Sequence, residues 1–189
     1  MPVITLHPSL LAEACHQLSY RILATGCRPA LIVGILSGGA EVARLMRRDF
    51  AGTPYAEVRI SRPSTQDKET GLFHRLLQIL PLWLCDLLRI VESRVAEFRS
   101  KGRLPERIGS VSLDAKVPVG GTILLVDDAI DTGATVSKLR LLLCKQYPGV
   151  DFKIAVVTVT TSHPICDADF FLYHNRTLCR FPWSNDYRS

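Results

Sequence analysis

Short unbroken apolar runs alternate along this chain with longer stretches whose apolar positions recur every three to four residues. Pro29 to Leu36, Ile123 to Val126 and Lys153 to Val159 have the continuous apolar character of strands buried on both faces. Ala56 to Ile60 and Phe170 to Tyr173 read as shorter strands. His7-Pro8-Ser9 opens a helix to about Thr25, with Leu10, Leu11, Ala14, Leu18, Ile22 and Leu23 on its packed face and Gly26 as its stop. A second helix restarts from the Ser37-Gly38-Gly39 break and runs through Met46, and a third opens within residues 131–135 and reaches about Tyr147. Strands alternating with helices predict an α/β fold: a mainly parallel sheet flanked by helices, with ligands at the carboxyl ends of its strands.

Residues 62 to about 107 depart from that alternation and read as a helical insert within a single domain of residues 1–189. From Leu72 to Val91 the chain is dense in Leu, Ile, Phe and Trp, and Pro81 divides it into two helical segments. A membrane span is rejected, because His74, Arg75, Gln78, Asp86 and Arg89 interrupt the run and each charge costs about 2.5 to 3.5 kcal/mol at a bilayer centre. Leu76, Leu80, Trp83, Leu87 and Ile90 then cover one face of the sheet or form a subunit interface of a homo-oligomer such as a dimer.

The 189 residues, 47% of them hydrophobic, suffice for one domain with a large core. A net charge of +5 favours anionic ligands, but no basic run concentrates it, so nucleic acid is not indicated. The six cysteines are widely spaced and most lie in apolar stretches, which fits small core residues and a reducing, cytoplasmic setting. The N-terminus has neither the basic region nor the apolar core of a secretion signal.

The densest chemistry lies in residues 123–135, Ile-Leu-Leu-Val-Asp-Asp-Ala-Ile-Asp-Thr-Gly-Ala-Thr. At a helix start the free N–H groups face an incoming anion. Gly133 admits close backbone approach and Thr132 and Thr135 add hydroxyl donors, so a phosphate monoester fits. Asp127 and Asp128 stand where the strand leaves the sheet. They would repel that phosphate and suit the vicinal hydroxyls of a ribose, or a Mg²⁺ bound to it. A buried strand with a capped helix accounts for the apolar run and Thr132 but not for the three aspartates. A receiver domain would carry its acidic pair in the first strand. A nucleotide-binding P-loop would need Gly-Lys-Ser/Thr, which is missing.

This segment closely resembles the signature of type I phosphoribosyltransferases, which bind phosphoribosyl pyrophosphate. The resemblance implies their fold and a Mg²⁺-dependent pentosyl transfer: phosphoribose moves from the pyrophosphate donor to a base-like acceptor, and pyrophosphate leaves. Leu36-Ser37-Gly38-Gly39 resembles the family's pyrophosphate loop, whose glycines let backbone N–H groups converge on the anion. Carried onto this chain, Asp127 and Asp128 hold the ribose hydroxyls directly or through Mg²⁺. Asp131, Thr132, Gly133, Ala134 and Thr135 hold the 5-phosphate. In the purine enzymes the aspartate matching Asp131 lies near the base and is assigned proton transfer.

The ending Leu178-Cys-Arg-Phe-Pro-Trp-Ser-Asn-Asp is similar to that of hypoxanthine, guanine and xanthine phosphoribosyltransferases, where an aromatic ring stacks on the base. That likeness makes Phe181, Pro182 and Trp183 base-binding candidates and a purine-like acceptor the expected one. Departures are present: Leu178 stands where relatives carry Trp, and Ser184 where an acid follows the second Trp, leaving Asp186 as a further metal-ligand candidate. His163 stands where a lysine reads the purine's exocyclic oxygen. These departures leave open two rivals, a donor-sensing regulator without transfer activity and an enzyme of a specialised pathway with a non-purine acceptor. The family's lid would be drawn from Lys101 to Gly121, with Arg103, Arg107 and Lys116 over the pyrophosphate.

Overall fold

A computed structural model describes residues 2–59, 113, 115–174 and 177–188. The helical insert, with its cover and subunit-interface readings, lies outside the described residues, as do Arg103 and Arg107 of the lid. Strand β1 (Val3–Thr5) leads into α1 (Pro8–Ala24), β2 (Leu31–Ile35), α2 (Gly38–Met46) and β3 (Tyr55–Val58). Then come β4 (Thr122–Ile130), α3 (Ala134–Gln146), β5 (Asp151–Val159), β6 (Phe170–Tyr173) and β7 (Leu178–Arg180). The main sheet has the order β3-β2-β4-β5-β6, every pairing parallel, and β1 pairs with β7 in a separate two-stranded ribbon.

The unbroken apolar runs resolve into two faces. Ile32, Leu124, Val126, Ala155 and Val157 point to one side, where Leu11, Cys15, Leu18 and Ile22 of α1 and Val42, Ala43 and Met46 of α2 meet them. Leu31, Val33, Leu125, Ile154 and Val156 point to the other side, against Val136, Leu139 and Leu143 of α3. A strand covered on both faces has no solvent side on which to place polar residues, which is why the runs show no alternation. Gly34 in β2 allows α2 to lie close, since a Cβ there would come within 2.8 Å of Ala40 Cα.

Several boundaries differ from those expected. The central strand does not end at Val126: it continues through both aspartates to Ile130, because β5 keeps pairing alongside, with Asp127 opposite Val156 and Ile130 opposite Val159. The third helix starts at Ala134, within the expected residues 131–135, after Gly133 at φ 77° turns the backbone through the left-handed region. Strand β3 is Tyr55–Val58, starting one residue earlier and ending two residues earlier than the expected Ala56 to Ile60. Leu10, expected on the packed face of α1, is 51% exposed, since it lies roughly 100° round the helix from Leu11 and outside the arc of Leu11, Cys15, Leu18 and Ile22. Of the five described cysteines, Cys15 and Cys179 are buried, Cys27 and Cys166 half-buried and Cys144 exposed, so the core reading holds for two. Among the described residues no helix is long and apolar enough to cross a membrane.

The chain's two ends meet at the β1–β7 ribbon. Arg180 donates through Nε to Asp186 Oδ2 at 2.9 Å, with both side chains 5% exposed, and through Nη1 to Thr5 Oγ1 at 3.0 Å. Two buried charges of opposite sign satisfy each other there, and they fix the segment after β7 against the α1–α2 face.

Candidate functional site

The site is built at the carboxyl edge of β2, β4 and β5. Strand β2 leaves the sheet at Leu36, whose N–H donates to Val58 O at 2.9 Å, and the chain passes a cis Leu36–Ser37 peptide into α2. Ser37 is exposed, while Gly38 and Gly39 are buried against β4. A Cβ on Gly39 would come within 2.5 Å of Val126 O and 2.6 Å of Asp127 Cα, and one on Gly38 would overlap the Asp128 carboxylate. No side chain fits at either position, so the Ser37-Gly38-Gly39 turn and the aspartate pair touch through backbone.

Both aspartates are half-buried and partly occupied by their own strand. Asp127 Oδ1 accepts the Asp128 N–H at 3.0 Å, and Asp128 Oδ1 accepts the Ala129 N–H at 2.9 Å. Asp128 Oδ2 accepts the Trp183 indole N–H at 2.9 Å. Burial pushes the Asp128 carboxyl above the usual carboxylate range, and the hydrogen bond from Trp183 opposes that rise. A carboxylate has about four lone-pair sites, so the contacts of Asp128 leave it acceptor capacity for a hydroxyl donor.

The turn after β4 forms the second half of the site. Asp131 Oδ1 accepts a 2.6 Å hydrogen bond from Thr160 Oγ1, which ties the turn to the end of β5. Thr132 Oγ1 accepts the Ala134 N–H at 3.3 Å, and its carbonyl accepts the Ile165 N–H at 2.8 Å. Helix geometry leaves the first-turn N–H groups of Thr135 and Val136 without intrahelical carbonyls, which is the donor set of an anion cradle. Gly133 packs on the following loop as well: a Cβ there would lie 2.9 Å from Cys166 N and 3.0 Å from Cys166 O. The cradle and the β5–β6 loop are thus one packed unit.

Around this centre the remaining candidates divide. His163 is exposed in the loop beyond β5, its backbone N–H on Thr161 Oγ1 at 3.4 Å. Phe181, expected to face a base, is 4% exposed in the α1–α2 core, with its ring stacked on Trp183 at 5.0 Å between centroids and 5° between planes. The core takes that ring, and the base-binding role passes from it. Pro182 and Trp183 are half-buried beside it. Leu178 is buried in β7. Asp186 is corrected as a metal ligand: its carboxylate is buried on Arg180. Lys116 is exposed before β4. Among the described residues no group of three or more His, Cys, Asp or Glu is disposed to hold a metal ion, so a Mg²⁺ here would rely on ligand oxygens as well as Asp127 and Asp128. Thr160 and the Trp183 N–H escape a reading by sequence spacing, since they reach the aspartates from 29 and 55 residues away.

The family model for the phosphoribosyl transferase domain matches residues 5–165. The fold is similar to that of a purine phosphoribosyltransferase from Pyrococcus horikoshii, with a TM-score of 0.64 and 16% identity over 97% of this chain and 95% of that one. It is also similar to a hypothetical protein from Neisseria gonorrhoeae with bound ppGpp, at a TM-score of 0.58 and 16% identity over 96% and 89% of the two chains. A third likeness is to a Helicobacter pylori xanthine-guanine-hypoxanthine phosphoribosyltransferase, at a TM-score of 0.57 and 14% identity over 96% and 90%. No curated protein sequence matches the chain.

Proposed function

Because the chain belongs to the type I phosphoribosyltransferase family, we propose that it transfers phosphoribose from phosphoribosyl pyrophosphate to a nitrogen of a purine-like base. The observation that carries this reading is the contact of Gly38 and Gly39 with Asp128 and Asp127, which sets an anion-binding turn directly against two carboxylates. A donor with a pyrophosphate at its anomeric carbon and hydroxyls beside it needs these two surfaces side by side. The cradle at residues 131–135 takes the 5-phosphate through N–H groups and the Thr132 and Thr135 hydroxyls.

In this reading the bond from the anomeric carbon to pyrophosphate breaks as the bond to the acceptor nitrogen forms. Asp127 and Asp128 accept from the ribose hydroxyls and steady positive charge at the anomeric carbon. Mg²⁺, bound with Asp127, Asp128 and donor oxygens, would neutralise the leaving pyrophosphate. Asp131, which Thr160 holds, would take the proton that the acceptor nitrogen releases. His163 lies at the carboxyl end of β5, where an acceptor's edge would be read. Support for a purine comes from the purine-directed names of two proteins that share the fold.

The test is release of pyrophosphate from the donor with Mg²⁺, screened over purine, pyrimidine and unusual heterocyclic acceptors. Turnover with a purine or purine analogue supports the reading. Donor binding without turnover on any acceptor favours the regulator, and turnover confined to a pyrimidine overturns the acceptor class.

A further inference from the structure

Resting on the donor site proposed above, we infer that Trp183 is a positioning residue for Asp128: its indole N–H holds the carboxylate in the orientation that meets the ribose hydroxyls. The indole reaches Asp128 Oδ2 at 2.9 Å while the Ala129 N–H holds Oδ1 at 2.9 Å. Two donors on two oxygens fix the plane of the carboxylate.

The indole is itself held. Its ring stacks on Phe181 with planes 5° apart, and Phe181 is buried in the core, so the bed beneath the indole is rigid. Ser184 closes the turn on both sides, accepting the Phe181 N–H through Oγ at 3.0 Å and donating its own N–H to Phe181 O at 2.9 Å. Behind it stands the buried Arg180–Asp186 pair. A chain of fixed groups therefore runs from the core through Trp183 to a carboxylate at the donor site.

Gly38 completes the junction. A Cβ at this position would lie 2.7 Å from Trp183 Nε1 as well as overlap the Asp128 carboxylate, so the bare α-carbon fits beneath the hydrogen-bonded pair. The first glycine of the anion turn is thus demanded by the Trp183–Asp128 contact, which makes the turn, the acid and the C-terminal segment one unit. Trp183 acts on the sugar through Asp128, a role separate from stacking on an acceptor.

The test uses the full chain and phosphoribosyl pyrophosphate with Mg²⁺. Trp183→Phe keeps an aromatic ring to stack on Phe181 but removes the N–H donor along with part of the ring system. Calorimetry should give donor affinity about tenfold weaker than the parent, with acceptor KM within a factor of about two. In an Asp128→Ala background the same substitution should change donor affinity by less than about twofold, because the group it acts through is gone. If Trp183→Phe does not fold, the parent's indole N–H resonance, assigned with Trp83→Phe, gives the second measurement: it should shift on donor addition and lose that shift in Asp128→Ala. Unchanged donor affinity in Trp183→Phe, losses that add in the double variant, or an indole signal indifferent to donor would overturn the inference. A parent that binds no donor defeats the donor-site reading beneath it, whereas a binding parent with an additive cycle defeats this inference alone.

Discussion

Thr160 and Asp131 face each other across the β4–β5 junction, the threonine hydroxyl donating to the carboxylate at 2.6 Å from a side chain that is 4% exposed. A hydrogen bond to a charged acceptor is worth about 1.5 to 3 kcal/mol, and here it fixes which way the acid points. Thr160→Val keeps the shape and removes the donor. Turnover should fall at least about tenfold while donor affinity holds within about twofold, since the proposed 5-phosphate contacts are N–H groups and the Thr132 and Thr135 hydroxyls, not the Asp131 carboxylate. Steady-state rates beside donor calorimetry check it, and equal losses in both would place Asp131 on the phosphate side.

Gly133 carries two constraints, a φ of 77° and a Cβ position 2.9 Å from Cys166 N. Gly133→Val, with its branched side chain in the left-handed region, should lower donor affinity at least about tenfold, which is about 1.4 kcal/mol, and also lower the melting temperature. Thr135→Val separates the two effects. It removes a hydroxyl without touching φ, so affinity should drop with little change in melting.

The paired Asp127→Asn and Asp128→Asn variant should lose on the order of 100-fold in turnover, the scale of a lost electrostatic contact in the transition state. Turnover within a factor of two of the parent would remove the aspartates from the mechanism.

Asp128 also has a signature in stability. Burial raises its native carboxyl above the unfolded value, so the folded chain binds the proton more tightly. Its contribution to stability is therefore fully present below the ordinary carboxylate range and is lost as pH rises through the native value. Asp128→Asn has no such proton. The melting temperature of the parent minus that of the variant should rise as pH is lowered from about 8 to about 4. A gap that narrows over that window would mean the native carboxyl is depressed.

At His163 an imidazole stands where the purine enzymes that the chain resembles carry a lysine, with a shorter reach and a different set of donors for a base carbonyl. Guanine and hypoxanthine should be poor acceptors, and His163→Lys should improve both. Efficient use of hypoxanthine by the parent, with His163→Ala harmless, would move recognition of the base elsewhere.

The sheet was legible in the sequence because its strands are buried twice over, and Ile123 to Val126 can be nothing but interior. The aspartates and the cradle were legible because they are contiguous. The end of β4 was not. Whether Asp127 and Asp128 belong to strand or loop depends on how far β5 pairs beside them, a fact carried by residues 151–159. Phe181 misled for a related reason: an aromatic beside a site reads the same whether it faces a ligand or lies one layer below, and only the packing of α1 and α2 decides. Asp186 looked like a spare acid until Arg180, six residues earlier, was found beside it.

The ribbon of β1 and β7 pairs Val3 with Leu178 and Thr5 with Arg180, across nearly the whole of the sequence. During synthesis the first strand waits, unpaired, while every element between is made. The sheet edge with its aspartates and cradle can assemble before then, but the indole that meets Asp128 emerges only after β7 has. A chain lacking residues 178–188 would keep both aspartates at the edge of β4 but lose the indole donor, leaving the Ala129 N–H as the described donor on Asp128.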